Sequence, residues 1–300
     1  LKAFLFPGQG SQYVGMSQKI PDVAFKDDLF DVATKIIGFD MYEFCEKGPH
    51  EKLSSTEITQ PALFTISAIY DMLLKQKGIV PDIVAGHSLG EYSALFSAGV
   101  VDFEQGFMLV KKRGELMKYA SLELPGGMLA VVGLSLSQVD EVINVAKNRG
   151  IIVVANYNTP EQFVLSGTKE ALDYARDVAK EKGAKLVRSL DVSAAFHSPL
   201  MEPIVQEMSD FIDSMNFSLP KLPIVQNVTA QIPKTIYEIK ENLKKQMKEP
   251  VKWLDSVYEI KKSGVDEYYE VGPRNILKGL VEKILPEVRV LTSEGVFANA

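Results

Sequence analysis

The sequence has 300 residues, of which 46% are hydrophobic and 24% charged, with a net charge of −6. This balance excludes a disordered or fibrous chain and supplies enough apolar material for a full core. No block of like charge extends beyond a few residues, so neither nucleic acid nor a membrane surface is an expected partner. At roughly 150 residues per domain the length suggests about two units, and for an α/β chain the expected form is one body with an inserted subdomain.

In chain order, Lys2 to Phe6 reads as a short buried strand stopped by Pro7-Gly8, too short an apolar run for a secretory signal. Gln60 to Lys75 has helical apolar spacing, with Pro61 predicted in its first turn. Pro81 to Gly86 is a strand that leads through His87-Ser88-Leu89-Gly90 into a helix over Glu91 to Ala98. Strand, sharp turn and helix in succession imply a parallel α/β sheet. Another helix covers Phe103 to Tyr119. The uncharged stretch Leu124 to Val139 is broken by Pro125, Gly126, Gly127 and Gly133, and it falls short of the ~18 apolar residues of a membrane span.

The grammar then changes. Met128–Val132, Ile151–Asn156, Gln162–Ser166 and Lys185–Asp191 read as strands, with helices over Leu136–Lys147 and Lys169–Lys182. This β-α-β-β-α-β order is the ferredoxin-like pattern and is assigned to a subdomain at residues 127–193. Residues 1–126 and 194–300 form the main body, with further strands at Pro223–Val228 and Glu267–Val271 and a helix over Asn275–Ile284. The single Cys45 excludes an internal disulfide and a Cys-based zinc site; it reads as a small buried hydrophobe in a reducing, cytoplasmic protein.

The strongest chemical signal is Gly86-His87-Ser88-Leu89-Gly90, a G-x-S-x-G turn between a strand and a helix. Its glycines permit a strained turn that lifts a serine hydroxyl above the sheet, beside a helix N-terminus that favours developing negative charge. A serine needs a base, and only three histidines exist. His50 lies in a Gly48-Pro49 turn and His87 adjoins the serine on a sharp turn, which leaves His197 at the junction between subdomain and main body. Phe6-Pro7-Gly8-Gln9-Gly10-Ser11-Gln12 offers backbone N–H groups suited to an oxyanion. It fails as a dinucleotide fingerprint, because Tyr13 stands where the third glycine is needed. Arg113, one of six arginines, could grip a carboxylate through two hydrogen bonds; by residue type alone, a surface ion pair is the better reading. Lys180, Lys182, Lys185 and Arg188 form a local cationic group that reads either as a solvated helix end or as a docking face.

Taken together these segments resemble malonyl-CoA:acyl carrier protein transacylases and the related acyltransferases of polyketide synthases. The resemblance spans nearly the whole chain. It rests on Phe6 to Gln12, Thr59-Gln60-Pro61-Ala62, Gly86 to Glu91, Lys112-Arg113-Gly114, Ala195-Phe196-His197-Ser198-Pro199-Leu200-Met201, Gln246 before Pro250-Val251, and Glu270-Val271-Gly272-Pro273. It implies an α/β-hydrolase-like core with an inserted ferredoxin-like subdomain. It further implies Ser88 as the acyl carrier, His197 as the base oriented by the Gln246 backbone carbonyl, and the N–H groups of Gln9 and Leu89 as the oxyanion hole. Arg113 would bind the malonyl carboxylate, and Phe196 would crowd an α-methyl branch. Malonyl-CoA and an acyl carrier protein are then the substrates, with no metal or other cofactor. Ala194 departs from the four-residue motif that marks malonyl selectivity in the polyketide enzymes, where a histidine stands.

Alternative readings are a polyketide synthase acyltransferase acting in trans, and a serine hydrolase or thioesterase. Ser88, Asp191 and His197 have the chain order of a hydrolase triad. However, Asp191 lies only six residues before His197, and the glycine-rich oxyanion motif of lipases is missing.

Overall fold

A computed structural model describes residues 1–298. Its strands are β1 (Lys2–Phe6), β2 (Ile83–Gly86), β3 (Gly127–Val132), β4 (Ile152–Thr159), β5 (Gln162–Gly167), β6 (Leu186–Ser189), β7 (Ile224–Val225), β8 (Glu267–Glu270) and β9 (Val290–Thr292). Five of them form a parallel sheet in the order β7-β2-β1-β8-β9. The other four form an antiparallel sheet in the order β4-β5-β3-β6.

The central strand β1 shows why its sequence is a continuous apolar run. Phe4 and Phe6 join a core with Phe64 and Tyr92, while Ala3 and Leu5 face Trp253, Val257 and Val281 on the other side. A parallel strand covered on both faces has no solvent side on which to place polar residues. In the antiparallel sheet the two faces are distinct. Leu129, Val131 and Leu165 pack on the helices Leu136–Ala146 and Lys169–Glu181, around Val142 and Ala175. Met128 and Val164 turn the opposite way and join the main core. This is the inserted β-α-β-β-α-β unit, laid with its bare sheet face against the α/β body.

The contact between the two units is made by backbone as well as side chains. Val251 N–H donates to Ala155 O at 2.8 Å, and Tyr157 N–H donates to Val251 O at 3.0 Å. The segment just after Gln246 is thereby tied to β4.

Several elements depart from their predicted bounds. The helix expected to open at Pro61 runs Thr56–Gln76, with Pro61 inside it. Its first turn, Thr56-Glu57-Ile58-Thr59, is polar and breaks the apolar spacing, yet Thr59 is buried, its hydroxyl bonded to Leu53 O and Ser55 O. β7 is only two residues long because the backbone N–H groups of Gln226 and Asn227 leave the sheet, the first for Gln231 O and the second for the Glu91 carboxylate. β6 ends at Ser189, short of Asp191. His50 opens a short helix, His50–Leu53. Cys45 is fully buried, and burial pushes its thiol pKa up, as expected of an inert core residue.

Candidate active site

Ser88 follows β2 and precedes the helix Gly90–Ser97, and it holds a left-handed backbone at φ 53°. The two glycines of the turn are there for space. A Cβ on Gly86 would lie 1.9 Å from Gly90 C, and a Cβ on Gly90 would lie 1.9 Å from Phe6 O. Strand and helix can therefore cross only without side chains at these points. His197 also has positive φ, at 57°. Two non-glycine residues in this sparsely populated region, facing each other, mark a place where the surrounding structure holds strain.

Ser88 Oγ lies 2.8 Å from His197 Nε2. On the far side of the ring, Nδ1 lies 2.7 Å from Gln246 O and 3.2 Å from Glu249 O. Carbonyls can only accept, so Nδ1 carries the hydrogen and Nε2 keeps a free lone pair toward the serine. Burial, reinforced by the nearby Arg113 charge, pushes the His197 pKa down to about 3. The imidazole is therefore neutral at pH 7 and able to accept a proton. Asp191 plays no part in this arrangement: it is exposed, and the Nδ1 position it would need is occupied by the two carbonyls. His87 points away, bonded to Asn158 Oδ1 at 2.8 Å, with its ring 5.5 Å from that of Trp253.

Arg113 is not the surface ion pair that its residue type suggested. It is 1% exposed, and among the described residues it has no carboxylate partner. Nη1 donates to Gln60 Oε1 at 2.8 Å; Nη2 donates to Gln246 Oε1 and to Ser88 Oγ, both at 3.0 Å. Its Nε–H meets no acceptor, and the guanidinium lies over the Tyr92 ring at 5.6 Å. Burial pulls its pKa down, but an arginine stays charged under all working conditions. The site therefore holds, beside the serine hydroxyl, a cation with no directly paired carboxylate among the described residues; the buried Glu91 acts on it only through space.

A narrow cavity of about 120 Å³ opens on these groups, lined by Gln9, Ser88, Leu89, Arg113, Phe196 and His197 among others. The backbone N–H groups of Gln9 and Leu89 form no hydrogen bond among the described residues. Phe196 is buried in the cavity wall. The residues expected from the sequence, Gln9, Ser88, Leu89, Arg113, Phe196, His197 and Gln246, thus converge on one place. Gln60, Glu249 and Asn227 were not foreseen as parts of it. For Asn227 a signal existed: a polar Gln-Asn pair directly after an apolar strand is costly to bury without a dedicated partner.

The cationic group fares less well. Lys182 is paired with Glu141, and Lys185 lies 3.6 Å from Glu161. Lys180 and Arg188 have no ion-pair partner among the described residues.

A serine on a glycine-bounded turn, a neutral histidine and a buried arginine, set in an α/β body with a ferredoxin-like insert, define an acyltransferase. The chain belongs to the acyl transferase domain family, whose model matches residues 3–296. It is 40% identical over 290 residues to the polyketide biosynthesis malonyl CoA-acyl carrier protein transacylase PksC of Bacillus subtilis, covering 96% of this chain and 98% of that one. It is 38% identical over 284 residues to the malonyl CoA-acyl carrier protein transacylase of the same organism, covering 94% and 90%. A solved complex described as a type II PKS acyl-carrier protein with its malonyl-transacylase superimposes with a TM-score of 0.94, at 35% identity over 99% of this chain and 98% of that one.

Proposed function

We propose that the protein transfers a malonyl group from malonyl-CoA to the phosphopantetheine thiol of an acyl carrier protein, through a malonyl ester on Ser88. The observation that carries this reading is Arg113. A buried cation without a directly paired carboxylate is costly, and its Nη2 is already at the serine that would carry the acyl group. A substrate bearing a carboxylate two bonds from its reacting carbonyl would supply the direct ion-pair partner at that distance.

The steps balance without a redox or metal co-reactant. His197 Nε2 takes the Ser88 proton as Oγ attacks the thioester carbonyl, and the oxyanion is received by the Gln9 and Leu89 N–H groups. The C–S bond breaks, the imidazolium returns the proton to the thiolate, and CoA leaves. The carrier thiol then enters, gives its proton to His197 and attacks the ester carbonyl; the Oγ–acyl bond breaks and the imidazolium returns the proton to Oγ, which restores Ser88. Gln246 and Glu249 stabilise the imidazolium with backbone dipoles in place of a carboxylate.

Phe196 would crowd an α-methyl branch on the acyl group. One methyl is worth about 1–3 kcal/mol, so discrimination against methylmalonyl-CoA should be partial. Of the two Bacillus relatives, nearly equal in identity, one is named for polyketide biosynthesis and the other names no pathway, and the acceptor is therefore named by its thiol chemistry alone. No helix among the described residues is long and apolar enough to cross a membrane. A cytoplasmic enzyme needing no cofactor fits this reading.

The test is CoA release from malonyl-CoA with and without holo carrier protein. A transferase gives one equivalent per site without acceptor and continuous turnover with it. Continuous release without acceptor would instead support the hydrolase reading.

A further inference from the structure

The left-handed turn at Ser88 needs something to hold it, and the groups that do so lie behind the serine. The Asn227 side chain spans the turn. Its Oδ1 accepts Ser88 N–H at 2.7 Å, and its Nδ2 donates to Gly86 O at 2.6 Å. One amide thus grips the backbone on both sides of His87.

Asn227 is itself fixed from a third direction. Its backbone N–H donates to Glu91 Oε2 at 2.7 Å, and Glu91 Oε1 accepts Gln226 Nε2 at 3.0 Å. Glu91 and Asn227 are both buried, at 1% and 0% exposure. Glu91 belongs to the helix that the turn opens, so the carboxylate ties the helix start to the loop after β7. The Ser88 carbonyl is held in turn by Gln246 Nε2 at 2.9 Å. Both peptide groups of the serine are therefore committed, and its N–H cannot swing into the cavity to compete with Gln9 and Leu89 for an oxyanion.

We propose that Asn227, locked by Glu91, is a positioning residue that sets the Ser88 turn and so aims Oγ at His197 and the bound acyl group. Neither residue touches substrate. The inference rests on Ser88 being the acylated residue. A small misplacement of a reacting group costs on the order of 10²-fold in rate, while binding through Arg113 is left intact.

The experiment is rapid-quench loading of malonyl-CoA onto wild type, Asn227→Ala, Glu91→Gln and the double variant, with thermal unfolding of each. Asn227→Ala should lower the loading rate at saturating malonyl-CoA by about 10²-fold, with KM changed less than about 3-fold. Glu91→Gln should cause a smaller loss that disappears in the Asn227→Ala background, because both act through one amide. If Asn227→Ala does not fold, Asn227→Asp, which keeps one acceptor but sets an oxygen against Gly86 O, is read by the same criteria. An unchanged saturating rate in folded variant, a loss confined to KM, or additive losses would overturn the proposal. Failure of the wild type to load Ser88 at all would instead overturn the reading on which it rests.

Discussion

Arg113 Nη2 and Ser88 Oγ lie 3.0 Å apart, so the buried cation and the hydroxyl that faces His197 share one corner of the cavity. Under the proposed function, this proximity couples substrate choice to chemistry. A carboxylate drawn to the guanidinium is held within a few bond lengths of the nucleophile, and the entropy of bringing the reacting atoms together is met by binding.

The orientation of His197 by carbonyls has a direct consequence. Ser88→Ala should abolish the covalent malonyl-enzyme, whereas Asp191→Asn should leave turnover within about 2-fold of wild type. Loss of a genuine triad aspartate costs about 10⁴-fold. Intact-mass analysis after malonyl-CoA treatment, together with steady-state rates, checks both.

The close approach of Gly90 to Phe6 O makes this glycine a stability determinant. Gly90→Ala should destabilise the fold by at least about 3 kcal/mol, because backbone must move to admit a methyl group. Gly279, in the helix Ile276–Ile284, has nothing within 4 Å of its Cβ position. Gly279→Ala should stabilise by up to about 1 kcal/mol. Urea unfolding of the two variants gives the contrast.

Glu270 supplies a pH-dependent term. It is fully buried, it accepts the N–H groups of Leu277 and Lys278 at 2.9 and 2.8 Å, and burial raises its pKa to about 7. In the unfolded chain it ionises near 4.5, the ordinary glutamate value. Between these values the folded state binds the extra proton, so this group's contribution to stability is full below about pH 4.5 and is lost as pH rises through about 7. Glu270→Gln removes that slope. The stability of the variant relative to wild type should therefore improve by up to about 3 kcal/mol from pH 4.5 to 8, measured by urea unfolding at both ends. A difference independent of pH would contradict this.

Acyl carrier proteins are acidic, so under the proposed function an enzyme of net charge −6 would meet its acceptor through a local positive face. Arg188 pairs with Ala130, two residues along β3 from the cavity residue Met128. It therefore lies on the cleft side of the antiparallel sheet. Arg188→Glu should raise the carrier protein KM several-fold at low salt and leave malonyl loading at saturation unchanged. Equal KM values in a carrier titration would remove Arg188 from the docking face.

Much of this could be read from residue order. The change from parallel to ferredoxin-like grammar at Pro125-Gly126-Gly127 is written in punctuation and period, and Gly86 to Gly90 carries its steric reason in its own glycines. Apart from the family resemblance, the inward turn of Arg113 is not legible in its own segment, since Lys111-Lys112-Arg113-Gly114-Glu115 reads as a charged helix surface. Only the tertiary fold shows that Gly114 packs against Glu57 backbone and Arg113 turns inward. The start of the helix at Thr56 and the shortness of β7 escaped for a related reason. In both, polar side chains are buried because hydrogen bonds satisfy them, Thr59 through the nearby Leu53 and Ser55 carbonyls and Gln226 and Asn227 through the distant Glu91 and Gly86, and apolar periodicity registers neither kind of partner.

Under the proposed function, Arg113 selects a malonyl group for transfer through Ser88. The measurement is kcat/KM for malonyl-CoA and acetyl-CoA in wild type and Arg113→Ala. Losing one side of a charge-assisted pair of this kind costs roughly 2–5 kcal/mol. Malonyl transfer should fall steeply, the weak acetyl reaction should survive or improve, and the preference between them should shrink by about 10²-fold or more. Parallel changes in both substrates would show that Arg113 does not hold the carboxylate and would contradict the account.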